Sequence, residues 1–170
     1  MSWHLRFYKY KWFEDQSKAL EGLEFDDLVK RAESGDTDCL VAVGVVHHSR
    51  QEYSDAMRCL SLAADRGNSN AMIGIGLLHY KGHGVPENEA EATRWFRMAA
   101  FKGNETAMLY LAFQLAGKHH AEAMRWFRIA SVIGLNPAYM IGLKAAIESG
   151  RRRDCFTLPT CNFARRPVAR

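Results

Sequence analysis

The sequence predicts an all-α protein, a solenoid of antiparallel helix pairs stacked in chain order. Three observations carry that expectation. First, RWFRMAA (Arg94–Ala100) recurs as RWFRIAS (Arg125–Ser131), 31 residues further on. Second, each copy is followed by a glycine at the same distance, Gly103 and Gly134, and four residues beyond each glycine stands an alanine, Ala107 or Ala138. The same step from glycine to small residue occurs at Gly35–Cys39 and Gly67–Ala71, which sets unit starts near 39, 71, 107 and 138 at intervals of 32, 36 and 31 residues. Third, the apolar residues inside each unit keep the spacing of a helix face.

Taken in order, residues 1–24 form an aromatic and basic leading segment, with Trp3, Phe7, Tyr8, Tyr10, Trp12 and Phe13 among Arg6, Lys9 and Lys11. The stretch FDDLVKRAESG, Phe25–Gly35, is expected to be the second helix of an incomplete first unit. It places Asp27 and Arg31 where later units carry aromatic or small residues, as the solvent-facing cap of a repeat array requires. In the first helix of the second unit, Ala71, Ile75 and His79 form one stripe at i, i+4, i+8, with Gly76 where another backbone or ring can come close. The second helix of that unit carries Ala92, Trp95, Phe96, Ala99 and Ala100 at i, i+3, i+4, i+7, i+8, the apolar face of an amphipathic helix. Ala56, Cys59, Leu60, Ala63 and Ala64 repeat the pattern one unit earlier; Ala123, Trp126, Phe127, Ala130 and Ser131 repeat it one unit later. A last helix is expected at Ala138–Ser149 with no second helix after it, followed by an arginine-rich tail over residues 150–170.

These residues resemble the Sel-one-like repeat (SLR), a relative of the tetratricopeptide repeat (TPR). The family pattern is A-x3-L-G-x2-Y-x2-G-x-G-V-x2-D-x3-A-x2-W-x3-A-A-x2-G. The second unit matches it at Ala71, Gly76, Gly82, Gly84, Val85, Ala92, Trp95, Ala99, Ala100 and Gly103. It departs at Ile75 for leucine, His79 for tyrosine and Asn88 for aspartate, and the units on either side lack the G-x-G-V loop. The similarity covers about residues 25–149. It implies a right-handed superhelical, TPR-like solenoid that serves as a protein-interaction scaffold or adaptor without catalysis.

The loop Lys81-Gly82-His83-Gly84 invites a chemical reading, but a phosphate cradle needs a strand before it and a helix N-terminus close behind. Here a helix precedes the loop. Glycines for positive φ, Pro86 for a fixed turn and Asn88 as N-cap make an interhelical turn the stronger account. His79 and His83 straddle that loop without an acidic or cysteine partner at zinc-like spacing. His47 and His79 share the repeat position where the family has tyrosine, so both are expected to be structural. The pairs His47/His48 and His119/His120 fall at helix ends, where surface exposure is the simple account. His120-Ala-Glu122 half-matches a zinc-deaminase motif whose P-C-x-x-C partner is missing. No catalytic residue, cofactor or metal is therefore expected.

A different set of residues is expected to bind a partner. With about 100° per residue, positions two, six and nine residues past each unit start face away from the packing stripe, towards the concave side of a TPR-like stack. They are Val41, Val45 and His48, then Ile73, Leu77 and Tyr80, then Leu109 and Phe113. A helix that is apolar all round is covered on every side. The cover is either an apolar helix or extended peptide of another protein, or self-burial, one form of which docks the aromatic leading segment in the groove.

Composition sets the remaining bounds. The chain of 170 residues is long enough for a substantial core, and 48% hydrophobic with 25% charged residues is the composition of a folded domain. Net charge is +4, of which residues 151–170 supply +5 from six arginines and Asp154, leaving −1 for residues 1–150. Bulk charge thus gives the body no polyanion-binding surface; an alternative is a nucleic-acid-associated protein using the arginine-rich tail and the aromatic N-terminus. No apolar run is long enough to span a bilayer and no secretory leader is apparent, which sets a cytoplasmic expectation. Cys39 and Cys59 are expected too far apart to bridge, while Cys155 and Cys161 can pair or stay free.

Overall fold

The computed structural model describes residues 12–20, 22–116 and 118–133. Among them the chain is helical throughout: α1 (12–19), α2 (Phe25–Glu33), α3 (Thr37–Ser49), α4 (Tyr53–Asp65), α5 (Ser69–Lys81), α6 (Glu89–Phe101), α7 (Glu105–Leu115) and α8 (His120–Ile133). From α2 to α8 successive helices pack on one another, and α3 also touches α5. The result is an α-solenoid of pairs α3–α4, α5–α6 and α7–α8, with α2 closing the first pair. The expected final helix Ala138–Ser149 and the tail 150–170 lie outside the described residues.

The breaks between pairs are written in the sequence. Gly35, Gly67 and Gly103 each take positive φ after a second helix, and the next residue, Asp36, Asn68 or Asn104, caps the following first helix by accepting backbone N–H bonds. The two asparagines do more than cap. The Asn68 amide donates to Thr37 Oγ1 and Asp38 Oδ1 at 3.2 and 2.7 Å, and the Asn104 amide donates to Ser69 Oγ and Asn70 Oδ1 at 3.0 Å each. Each cap thus ties its unit to the first turn of the unit before, a ladder that fixes the rotation between repeats.

Packing within a pair sets a small residue of the first helix against a larger one of the second. Gly76 on α5 sits under the Phe96 ring of α6, where an added Cβ would come within 2.6 Å of that ring. One unit earlier, in the same register, Gly44 lies under Leu60; one unit later Ala112 and Phe127 occupy those two positions, both buried. The three pairs fill the same two positions with side chains of different total size, and the ring of Phe96 comes this close because Gly76 carries no Cβ.

The leading segment is not separate from the solenoid. Trp12 and Phe13, on α1, are buried and belong to the same continuous core as α2 to α8. Asp27 and Arg31 on α2 are exposed, as expected of a cap. Cys39 and Cys59 are free, buried thiols; the Cys39 thiol donates to Asp36 Oδ2 at 3.2 Å.

The two faces of the repeats

All eight residues expected on the inner face are buried: Val41, Val45, His48, Ile73, Leu77, Tyr80, Leu109 and Phe113. They come from α3, α5 and α7, the first helices, whose composition leaves no polar face to turn to water. Their side chains therefore contribute to the core of the folded chain rather than lining an open channel.

Part of the cover is identifiable. The Phe13 ring stacks on the His48 ring with centroids 3.7 Å apart and planes 7° from parallel. Trp12 lies 3.4 Å from the position a Cβ would take on Gly74, so glycine at 74 makes room both for the indole and for Leu60. Lys81 Nζ stands over the Phe13 ring, 5.5 Å from its centroid.

His48 corrects the expectation that helix-end histidines are surface residues. It is buried, and its Nε2 lies 3.0 Å from Nδ1 of His83, a hydrogen bond in which one ring supplies the proton. Burial, and then the nearby charges of Lys81 and His83, pull its pKa down to about 4, so it is neutral at ordinary pH. His83 is shifted in the same direction by burial and by Lys81. Its ring also stacks on Tyr53 at 4.6 Å. The neighbouring His47 instead meets Glu52 at 2.6 Å and the edge of Phe25. His119 and His120 are exposed.

The glycine-rich loop is thereby explained. Gly82 (φ 68°) and Gly84 (φ 74°) turn the chain out of α5, and Asn88 caps α6 through the N–H groups of Ala90 and Glu91. At Gly84 an added Cβ would lie 2.7 Å from Tyr53 Cβ. The loop folds back on the preceding unit and delivers His83 to His48 and Tyr53. Its work is to clasp two repeats. That link between His83, His48 and Tyr53 is absent from the local sequence pattern, because its partners lie 35 and 30 residues apart. Among the described residues no cluster of three or more His, Cys, Asp or Glu side chains is placed to hold a metal ion, and no helix is long and apolar enough to cross a membrane. Glu122 is engaged by Arg97 at 2.8 Å.

The architecture is that of an α-helical repeat scaffold. The sequence model of the Sel1 repeat matches residues 48–68 and 69–104, and the described residues fold as an α-solenoid similar to those of Sel1-repeat proteins. The crystal structure of a Sel1 repeat protein from Oxalobacter formigenes superimposes with a TM-score of 0.59 at 24% identity, over 72% of this chain and 96% of that one. A protective antigen of uropathogenic Escherichia coli displaying an SLR fold gives a TM-score of 0.64 at 26% identity, over 76% of this chain and 30% of that one. In sequence, the chain is 36% identical over 66 residues to the ERAD-associated E3 ubiquitin-protein ligase component HRD3A of Arabidopsis thaliana, covering 38% of this chain. It is 33% identical over 82 residues to the DAP3-binding cell death enhancer 1 of Mus musculus, covering 47% of this chain. The matches span only 10% and 16% of the lengths of these two relatives. Sel1 repeat proteins generally serve as protein-interaction scaffolds, and the fold is typically non-catalytic.

Proposed function

We propose that this chain is a cytoplasmic, non-catalytic scaffold that binds a partner protein along the inner face of its repeats, at Val41, Val45, His48, Ile73, Leu77, Tyr80, Leu109 and Phe113. The observation that carries this reading is the seating of Phe13 and Trp12 against His48 and Gly74. The inner face accepts aromatic side chains from a segment outside the repeats, and the leading segment fills in cis the place that a partner's apolar segment takes in trans. Two relatives are named for association with other proteins, one as a component of a ubiquitin ligase and one as DAP3-binding, which agrees with a scaffold.

The test is affinity capture from native cells with wild-type protein beside the Trp12→Ala/Phe13→Ala variant, each checked for helix content by circular dichroism. Uncovering the inner face is expected to raise partner recovery several-fold, and a synthetic peptide of residues 1–20 is expected to compete it away. Equal recovery of the same proteins by both forms, indifferent to the peptide, would sink the proposal.

A further inference from the structure

The outer surface of the solenoid carries an ordered apolar row that the inner-face reading does not use. Aligning the second helices on their fully buried alanines, Ala56, Ala92 and Ala123, the residue six positions on is Leu62, Met98 or Ile129. These three are 48%, 40% and 45% exposed. Nine positions on, α6 and α8 present Phe101 and Val132, which are 74% and 86% exposed. On a helix these offsets fall about 240° and 180° from the buried alanine, on the side turned from the core. Apolar residues scattered singly over a surface need no explanation; the same register exposed in three successive units is a contiguous feature. The edge contact of Phe101 with Trp126, at 5.4 Å between centroids, joins the row from α6 to α8.

Charge marks what this row suits. Two positions past each alanine stands an exposed arginine, Arg58, Arg94 or Arg125. Past that point stand Arg66 just after α4, Arg97 in α6, Lys102 just after it and Arg128 in α8, while Asp65 is the only acid in the stretches 57–66, 93–102 and 124–133; Arg97 pairs with Glu122. The acids that pair with the first two arginines, Asp55 and Glu91, lie three residues earlier in their helices. Alongside the row basic side chains thus outnumber acidic ones on all three helices, two to one over 57–66, three to none over 93–102 and two to none over 124–133.

We infer that the outer faces of α4, α6 and α8 form a second docking surface, for an acidic amphipathic helix of another protein laid across the three units. The second helices α6 and α8 approach each other through Phe101–Trp126 and Arg97–Glu122, and a helix of about 14 residues, about 21 Å long, is laid across this surface. Its apolar face meets Leu62, Met98 and Ile129, and its glutamates or aspartates meet the arginines. The attraction between oppositely charged faces weakens with salt.

The probe is a fluorescein-labelled 14-residue helix with leucines on one face and glutamates on the other, read by anisotropy against the full chain. Its counterpart carries lysine for every glutamate, and vesicles of phosphatidylserine and phosphatidylcholine serve as a third arm. The glutamate peptide is expected to bind and the lysine peptide not to. Binding is expected to weaken at least tenfold in Met98→Ser/Ile129→Ser and in Arg94→Glu/Arg125→Glu, exposed changes whose effect on folding is monitored by circular dichroism. It is expected to be unchanged in Trp12→Ala/Phe13→Ala, which separates this surface from the inner one. The inference is overturned by absent peptide binding, by binding that survives both outer-face variants, or by vesicle binding that is lost in those variants while the peptide never binds.

Discussion

Helices α5 and α6 have the same length, thirteen residues, and belong to one repeat, yet they bury very different shares of themselves. In α5 nine residues are buried; in α6 four are. The first helix has neighbours on all sides: its own second helix, the units before and after, and, at Gly74, the indole of Trp12. The second helix has a core face and a solvent face. A repeat thus divides its labour, with the inner helix supplying cohesion along the stack and the outer helix supplying surface. Substitutions at the buried inner positions are therefore expected to lower stability, and those at exposed outer positions to leave it nearly unchanged.

The largest separation is expected from Leu77→Ala, which empties a fully buried site at the centre of the stack. It should cost about 3 kcal/mol in urea denaturation. A loss below about 1 kcal/mol would mean the inner face is loosely covered and the contrast drawn above is wrong.

Acid should weaken the inner layer next. His48 titrates near 6.5 when unfolded and about 4 when folded, because burial and then Lys81 and His83 disfavour its charge. Between those values the unfolded chain binds the extra proton. Stability is therefore complete above about pH 6.5 and falls as pH drops towards 4, by on the order of 2–3 kcal/mol. His48→Gln should flatten that part of the profile; an unchanged slope would place its origin elsewhere.

Gly76→Ala tests the close contact between the helices of the pair. The new methyl would press on the Phe96 ring. Overpacking outweighs the gain in helix propensity, for a net loss of about 1–2 kcal/mol. The double variant Gly76→Ala/Phe96→Leu copies the smaller ring-free partner of the Gly44–Leu60 pair and should recover part of it. Failure to recover would show that the backbone, not the ring, sets the clash.

The smallest effect belongs to the outer face. Met98→Ser should change stability by less than about 0.5 kcal/mol. A loss comparable to that of Leu77→Ala would mean that the outer row is covered and contributes to the fold.

Much of this was readable beforehand, for identifiable reasons. RWFRMAA and its copy, the glycine–cap–alanine step and the small residue at 76 are local signals with fixed offsets, so they set the helix boundaries, the pairing and the repeat. A helical wheel needs only the residue spacing, so it could group the eight positions expected to bind a partner, and all eight are buried. What covers them could not, since Phe13 reaches His48 across 35 residues of chain. The expectation for His48 failed for the same reason: a helix-end position says nothing about a loop from the next unit folding over it.

The sequence by itself thus determined the unit, its two helices and the turn at Lys81–Pro86, because periodicity, caps and positive-φ glycines act within a few residues. Only the tertiary structure decided that His83 clasps His48 and Tyr53, that Trp12 and Phe13 join the core, and that Leu62, Met98 and Ile129 line up on the outside. Those outcomes depend on how successive units are rotated and stacked. That arrangement is set by long-range side-chain packing and by the asparagine ladder between repeats, which no single stretch of the chain contains.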